Sequence, residues 1–366
     1  MHRTAAVLAA GLALAVLPGT AAGASPGAQP DHHHPASHRI VVAADGRGDF
    51  NTVQAAVDSV PSGNTVPTTI LIRRGVYRGL VTIPADKPNL TLLGATGDPR
   101  DVVLTFDNAS GTLKPDGTPY GTSGSATVLI SANDTTARDI TFENSFDEAA
   151  HPEISNRQAV ALRTTGDRLV FEHDRFLGNQ DTLYVNSPST TVGSRQYYLH
   201  CEIVGDVDFI FGRGTAVFDR TLIRALSRGS TDNNGYITAA ATPIANSYGF
   251  LITRSRIVSD APAQTFHLGR PWHPGGDVTA IAQVLIRDSW LPAAIKATPW
   301  TDFSGFSWKD ARLAEYRNAG PGATVTADRP QLDRTAAADF TARRYLAGTD
   351  GWNPVRADRD PHRQHR

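Results

Sequence analysis

The sequence is poor in cysteine, because Cys201 is the single cysteine among 366 residues. An intrachain disulfide is therefore excluded, and we expect Cys201 to be a small, buried apolar residue. An excess of charge of one sign is also missing, since 35 Lys and Arg balance 36 Asp and Glu. Nucleic acids and anionic membranes usually select a basic face, so we expect neither as the main partner.

The signatures of three common chemistries are missing as well. The chain has no HExxH zinc motif and no phosphate-binding loop. Its one Gly-x-Ser-x-Gly match covers residues 23–27, at the N-terminus, where it cannot form the strand-to-helix turn of a serine hydrolase. What is present is a composition that is 40% hydrophobic and 19% charged, which is sufficient for a packed core.

The N-terminus has the pattern of a signal peptide. A basic start (MHR) precedes an apolar stretch over residues 4–17, which is short for a membrane span, and residues 22–24 (AGA) fit a small-residue cleavage site. We predict a signal peptide over residues 1–24 and a secreted, extracellular protein; an uncleaved anchor is the alternative. Residues 25–38 form a His-rich linker, either solvated or metal-binding, residues 39–354 the catalytic domain, and residues 355–366 a charged, disordered tail.

The first half of the folded region predicts one helix and otherwise short strands. Residues 51–60 (NTVQAAVDSV) carry apolar side chains at helical spacing and end at Pro61. Short apolar runs bounded by Gly, Asn, Asp or Pro are typical of strands. We predict strands over residues 69–72, 90–93, 102–105, 128–130 and 159–162.

A loose internal repeat runs through the middle of the chain. Its pattern is a hydrophobic residue, two further residues, a pivot, one residue and a second hydrophobic residue. The pivots are Asp174, Cys201, Thr221, Ser255 and Ser289, which are 27, 20, 34 and 34 residues apart. This irregular spacing favours an all-β fold, a parallel β-helix with loops of varied length between its coils, over a propeller or a leucine-rich array. A β-sandwich is the alternative.

The pattern changes after Pro292. Residues 310–318 (DARLAEYRN) and 336–346 (AAADFTARRYL) are predicted to be helical. We expect these C-terminal segments to cover the open end or the side of the solenoid, where strand edges would otherwise be exposed.

Two aspartates in glycine-containing segments are candidates for paired catalytic carboxylates. Asp181 lies in residues 178–184 (GNQDTLY) and Asp208 in residues 205–212 (GDVDFIFG), 27 residues later, or about one coil. Coils stack at about 4.8 Å, so the two carboxylates are expected to be neighbours. Two such groups resist ionising together, which separates a protonated acid from an ionised nucleophile or base. Arg270 is a candidate to keep one of them charged through a bidentate contact.

Amide and aromatic side chains nearby complete the candidate site. Gln158 and Gln180, 22 residues apart, offer amide donors for a developing oxyanion. Phe209 and Trp272 offer flat apolar faces for stacking on sugar rings. Each of these residues also has a structural interpretation, such as a polar ladder for Gln158 or a turn cap for a lone Asp.

These segments resemble the motifs of the pectin methylesterase (pectinesterase) family. Residues 41–46 and 50–57 resemble the opening of the family, and residues 75–77 (GVY) resemble its first motif, although Gly79 stands where the family usually has an acidic residue. Four further motifs match in order: residues 158–161 (QAVA), 180–183 (QDTL), 208–212 (DFIFG) and 268–272 (LGRPW). The match extends to residues 315–316 and 320–323 and so covers most of the folded region.

The resemblance implies a single-stranded right-handed parallel β-helix that hydrolyses galacturonate methyl esters of pectin. It implies that Asp208 is the nucleophile, Asp181 the acid and then the base, and Gln180 the oxyanion stabiliser. Further implied roles are assistance and substrate contact for Gln158, orientation of Asp208 for Arg270, and substrate contacts for Trp272 and Thr127. No metal or organic cofactor is implied, and we expect a monomer that acts on methyl-esterified homogalacturonan.

Two other functions are compatible with parts of the pattern. A pectate lyase or another β-helix enzyme on the same polymer would use a different reaction, and a lyase would need a Ca²⁺ site, for which Asp206 and Asp208 are the candidate ligands. A carbohydrate-binding protein would keep the fold without turnover. The complete set of candidate residues favours the esterase over the binding protein.

Overall fold

The computed structural model describes residues 38–355, so the predicted signal peptide, residues 25–37 of the linker and residues 356–366 of the tail lie outside the described residues. Within the described range no helix is long and apolar enough to cross a membrane. The described strands are β1 (His38–Val42), β2 (Thr68–Ile72), β3 (Gly75–Arg78), β4 (Val81–Ile83), β5 (Leu90–Gly94), β6 (Val102–Phe106), β7 (Val128–Ile130), β8 (Thr136–Arg138), β9 (Thr141–Asn144), β10 (Leu162–Thr164), β11 (Leu169–Glu172), β12 (Arg175–Leu177), β13 (Leu183–Val185), β14 (Arg195–Leu199), β15 (Glu202–Gly205), β16 (Val207–Gly212), β17 (Thr215–Asp219), β18 (Leu222–Ala225), β19 (Gly235–Ala240), β20 (Phe250–Thr253), β21 (Arg256–Ser259), β22 (Phe266–Gly269), β23 (Gln283–Arg287) and β24 (Arg312–Tyr316). The helices are α1 (Val53–Ser59), α2 (Gly121–Gly124), α3 (Arg334–Ala337) and α4 (Ala342–Ala347), with 3-10 turns at Pro99–Asp101, Pro274–Gly276 and Trp308–Asp310.

The strands form three parallel sheets, which confirms the predicted right-handed parallel β-helix. One sheet has the order β1-β2-β5-β8-β11-β14-β17-β20-β23-β24. The second has the order β22-β19-β16-β13-β10-β7-β4, and the third the order β21-β18-β15-β12-β9-β6-β3. Successive coils contribute one strand to each sheet, so residues one coil apart in sequence become neighbours in space.

The internal repeat aligns in register along this stack. Its first hydrophobic positions pair strand by strand, Phe171 with Tyr198, Tyr198 with Phe218, and Phe218 with Ile252. All of these side chains are buried in the main core. The first hydrophobic positions of the repeat are therefore inward-facing residues of the ten-stranded sheet.

Each pivot lies at the corner between the first and the third sheet. The residue before each pivot has a left-handed backbone, with φ between 48° and 58°, at His173, His200, Arg220, Arg254 and Asp288. Buried pivot hydroxyls then satisfy backbone donors of the preceding coil. The Ser255 Oγ accepts from the Thr221 N–H at 3.0 Å, and the Ser289 Oγ accepts from the Ser255 N–H at 3.1 Å.

The structure confirms the helix in residues 51–60 and corrects three other elements. Helix α1 is capped by Thr52, whose Oγ1 accepts from the Ala55 N–H, and its apolar face packs on the first coil. Residues 310–318 are not helical, because residues 312–316 extend the longest sheet beside β23 as β24. Residues 336–346 form parts of two short helices, α3 and α4, and α4 covers the side of that sheet at β14 and β17. The strand predicted over 159–162 begins only at Leu162.

Candidate active site

The candidate site lies on the second sheet, in or beside its neighbouring strands β10, β13, β16, β19 and β22. Asp181 and Asp208 occupy equivalent positions on adjacent coils, because each stands two residues before a paired residue, Leu183 or Ile210. The Asp181 N–H donates to the Val207 carbonyl at 3.0 Å, which links the two segments directly. The stacking of coils thus places the two predicted carboxylates side by side.

The backbone at both aspartates is in the left-handed region. Asp181 has φ 67° and Asp208 has φ 51°, a region that L-residues seldom adopt. The pairing of β16 with β19 also shifts register between Val207 and Ile210, which is a bulge at Asp208. Bulges re-aim side chains and are common next to active sites.

Asp208 forms a bidentate ion pair with Arg270. The Arg270 Nε donates to Oδ1 at 2.8 Å, and its Nη2 donates to Oδ2 at 2.5 Å. Both side chains are largely buried, with 8% of Asp208 and 15% of Arg270 exposed. Burial raises the pKa of Asp208, and the hydrogen bonds and charge of Arg270 oppose that rise. The pair therefore favours the ionised form of this carboxylate.

Two aromatic rings hold the Arg270 guanidinium. Its Cζ lies 3.7 Å from the ring centroid of Tyr236 and 4.0 Å from that of Phe303. Two rings this close to Cζ must lie on opposite faces of the planar guanidinium, which is therefore sandwiched between them. Each cation–π contact contributes about 0.5–2 kcal/mol. The sandwich fixes the plane of the fork that meets Asp208. Neither ring is predicted from the sequence, because no motif connects Tyr236 or Phe303 to Arg270.

Asp181 has the opposite electrostatic environment. Burial and then the charge of Asp208 raise its pKa well above the ordinary value, and Arg270 opposes this only in part. Among residues 38–355, no hydrogen bond supports its carboxylate. The protonated form of Asp181 is therefore favoured beside an ionised Asp208, which is a division of labour between an acid and a nucleophile or base.

The two predicted glutamines lie on the adjoining coils. The Ala159 N–H donates to the Gln180 carbonyl at 3.0 Å, so the segments that carry Gln158 and Gln180 run side by side. Both side chains are half-buried. The Oε1 of Gln158 is buried without a partner among the described residues, whereas neither amide nitrogen is buried in this way. Both amide groups thus have N–H donors available for a ligand.

An aromatic cluster borders the site. Tyr184 and Phe211 stack at 4.2 Å between ring centroids, and Trp272 packs edge-on against both at 6.0 and 5.6 Å. We call Tyr184, Phe211 and Trp272 the aromatic wall. Trp272 is half-buried and presents the most open ring of the three.

Two residues predicted to contact the substrate are fully buried in this structure. Phe209 is 0% exposed and belongs to the main core, because the bulge turns Asp208 outward and Phe209 inward. Thr127 is also 0% exposed, and its hydroxyl has no partner among residues 38–355. Protein atoms therefore cover both side chains in this structure.

Asp206 is not arranged as the calcium alternative requires. The Arg228 Nη1 donates to Asp206 Oδ2 at 2.8 Å, and the Asp206 Oδ1 accepts from the Val207 N–H at 2.6 Å. Within the described chain, no group of three or more His, Cys, Asp or Glu side chains could hold a metal ion. Asp206 is thus committed to an arginine and to the backbone.

The fold and the site define a parallel β-helix protein with a buried pair of carboxylates in unequal environments. A family model described as Pectinesterase matches residues 39–349. Pectinesterase A of Dickeya dadantii is 37% identical over 346 residues, covering 86% of this chain and 90% of the relative. Pectinesterase 31 of Arabidopsis thaliana is 36% identical, covering 78% of this chain and 84% of the relative. The chain belongs to the pectinesterase family, whose members are carboxylic ester hydrolases.

Solved structures agree with this assignment. Pectin methylesterase from Erwinia chrysanthemi superposes with a TM-score of 0.77 at 35% identity, covering 87% of this chain and 99% of that structure. Pectin methylesterase from carrot superposes with a TM-score of 0.73 at 32% identity, covering 85% and 93%. A pectin methylesterase in complex with a hexasaccharide gives a TM-score of 0.78 at 36% identity, covering 87% and 99%.

Proposed function

We propose that this protein hydrolyses the methyl esters of galacturonate in pectin, releasing methanol and leaving a free carboxylate on the polymer. The observation that carries the proposal is the buried Asp208–Arg270 pair beside Asp181. This arrangement supplies one ionised and one protonated carboxylate, as ester hydrolysis through an acyl-enzyme needs. The complex of a related pectin methylesterase with a hexasaccharide supports a polymeric substrate.

In the proposed first step, an Asp208 carboxylate oxygen attacks the ester carbonyl carbon. The carbonyl oxygen becomes an oxyanion, which the amide N–H groups of Gln180 and Gln158 stabilise. Asp181 gives its proton to the methoxy oxygen as the carbon–oxygen bond breaks, and methanol leaves. The product of this step is an anhydride between Asp208 and the galacturonate.

In the second step, the Asp181 carboxylate accepts a proton from water as the water oxygen attacks the acyl carbon. The bond to Asp208 breaks, which frees the galacturonic acid group and regenerates the Asp208 carboxylate. Arg270 keeps Asp208 ionised and oriented in both steps. Trp272 forms a wall for the sugar rings.

The reaction type is tested by following two products from highly methylated pectin in the presence of EDTA. We expect methanol without an ultraviolet-absorbing unsaturated product. Loss of activity with EDTA that Ca²⁺ restores, together with ultraviolet absorbance, would instead indicate a lyase.

We also propose that the protein acts outside the cell as a monomer. The apolar N-terminal stretch and the small-residue cleavage site support export. Sequencing the N-terminus of protein from the culture medium tests the predicted cleavage after Ala24, and light scattering in solution tests the monomer.

A further inference from the structure

Asp206 is a buried carboxylate that the proposed reaction steps do not use. It stands two residues before Asp208 and is 4% exposed. Its Oδ1 accepts from the Val207 N–H at 2.6 Å, and its Oδ2 accepts from the Arg228 Nη1 at 2.8 Å. A buried carboxylate costs free energy unless it is paired and hydrogen-bonded. Both conditions are met at Asp206, so the side chain is held in one orientation and its ionised form is favoured.

The backbone next to Asp206 joins three neighbouring coils of the site. The Asp206 carbonyl accepts from the Tyr236 N–H at 3.1 Å, and the Val207 carbonyl accepts from the Asp181 N–H at 3.0 Å. Tyr236 is one of the two rings that hold Arg270. Because the Val207 N–H is bound to the Asp206 carboxylate, the residue that holds the backbone of Asp181 is itself fixed by Asp206. A shift of the Asp206 side chain would therefore be transmitted to Asp181.

Arg228 holds Asp206 from the loop that precedes β19. The Arg228 backbone N–H donates to the Oδ1 of Asn234 at 2.8 Å, and Asn234 is 0% exposed, so the loop is anchored at its base. The Arg228 Nη2 lies 3.5 Å from the Oε2 of Glu148, on the loop that leads to Gln158. One guanidinium thus connects Asp206 to two loops that enter the site.

The charge of Asp206 also acts on Asp181. Burial contributes most to the raised pKa of Asp181, the charge of Asp208 comes next, and the charge of Asp206 adds to the rise. The charged side chains that act on Asp181 are Asp208, Arg270 and Asp206, and those that act on Asp206 are Arg228 and Glu148. Neutralising Asp206 therefore lowers the pKa of Asp181.

We propose that Asp206 is a positioning residue for Asp181. Held by Arg228, it fixes the Val207 backbone that orients Asp181 and keeps a further negative charge close to that carboxyl group. The inference rests on the proposed function and adds a residue that acts through Asp181 instead of touching the substrate. Its effect is to help Asp181 retain its proton until the methoxy oxygen takes it.

The pH dependence of methanol release tests this role with the variant Asp206→Asn. Asparagine has nearly the same size and still offers an oxygen to the Val207 N–H, but it removes the charge and the ion pair. The expected result is a kcat about tenfold lower, a retained KM, and an alkaline limb that lies at lower pH than in the wild type.

Glu202→Gln is the matched control. Glu202 lies on β15, four residues before Asp206, and its Oε2 accepts from the Arg175 Nε at 2.8 Å, the same contact distance as in the Asp206–Arg228 pair. The rate and the pH profile of this variant should coincide with those of the wild type. An alkaline limb that stays in place in Asp206→Asn, or an equal shift in Glu202→Gln, would overturn the positioning role.

A double-mutant cycle tests whether Asp206 and Arg228 act as one unit. Arg228→Gln should also lower kcat, and the double variant Asp206→Asn/Arg228→Gln should lose no more than the more impaired single variant, because residues in one ion pair are not additive. Additive losses, or a wild-type kcat in Arg228→Gln, would overturn the role of the pair. Thermal unfolding checks each fold, and the partly exposed Arg228 supplies the test if Asp206→Asn does not fold.

The same assay separates this inference from the proposed function. Absence of methanol from the folded wild type refutes the proposed function. Methanol release whose rate and pH profile do not depend on Asp206 and Arg228 refutes the positioning role alone.

Discussion

Replacing Arg270 by Gln tests the electrostatic basis of the proposed nucleophile. The variant removes both hydrogen bonds to Asp208, at 2.8 and 2.5 Å, and leaves a carboxylate that is only 8% exposed without its counter-ion. Removing one partner of a buried ion pair costs about 3–5 kcal/mol. Asp208 avoids this cost by binding a proton, which abolishes its nucleophilicity.

The magnitude follows from that cost. At a pH where wild-type Asp208 is ionised, about 3 kcal/mol corresponds to a fall in kcat/KM of about 10². The variant should also change how the rate depends on pH. Because Arg270 opposes the rise in the pKa of Asp208, its removal raises that pKa further. The acidic limb of the rate profile then moves to higher pH. Part of the activity should then return as the pH is raised.

The assay is methanol release from highly methylated pectin over a range of pH, for the wild type, Arg270→Gln and Arg270→Lys. Lysine keeps the charge but not the planar fork, so its acidic limb should lie between those of the other two proteins. An acidic limb that does not move in Arg270→Gln would refute the assignment of Asp208 as the ionised group. A rate within a few-fold of the wild type would do the same.

Three further predictions concern other parts of the structure. Asp181→Asn should lower kcat by about 10² or more and remove the alkaline limb, since wild-type activity falls as rising pH deprotonates the acid; a near-normal rate would reassign the role. Tyr236→Leu should shift the acidic limb of the rate profile upward while Tyr236→Phe retains the wild-type limb, and identical profiles for both would exclude a positioning role for the ring. Glu315→Gln should cost about 3 kcal/mol of unfolding free energy, because Glu315 and Arg329 form an ion pair that is 2% and 1% exposed. Asp107→Asn, in an exposed pair, should cost under about 1 kcal/mol in the same denaturant titration, and equal losses would contradict the difference in burial.

The internal repeat, whose pivots lie at the corners between sheets, made the fold predictable from sequence. A buried apolar residue before each corner and another after it recur once per coil, and Phe171 and Phe176 are one such pair. Because the coils stack in register, this local pattern also determines which residues are neighbours. The proximity of Asp181 to Asp208 was predictable for the same reason.

The structural features that the sequence did not predict depend on tertiary contacts. Residues 312–316 have the composition of a helix but form a strand, since β23 offers an unpaired edge. Phe209 points inward because a bulge at Asp208 interrupts the simple alternation of a strand. Tyr236 contacts Arg270 because β19 stacks beside β22, and Phe303 contacts it from a later segment of the chain. Neither contact can be recognised from the residues next to it in sequence.

The nucleophile role proposed for Asp208 requires that methanol release from highly methylated pectin depend on this residue. The wild type and Asp208→Ala would be compared in the presence of EDTA, with thermal unfolding to confirm that the variant is folded. Methanol is expected from the wild type and none above background from Asp208→Ala. Appreciable methanol from the folded variant, or none from the wild type, would contradict it.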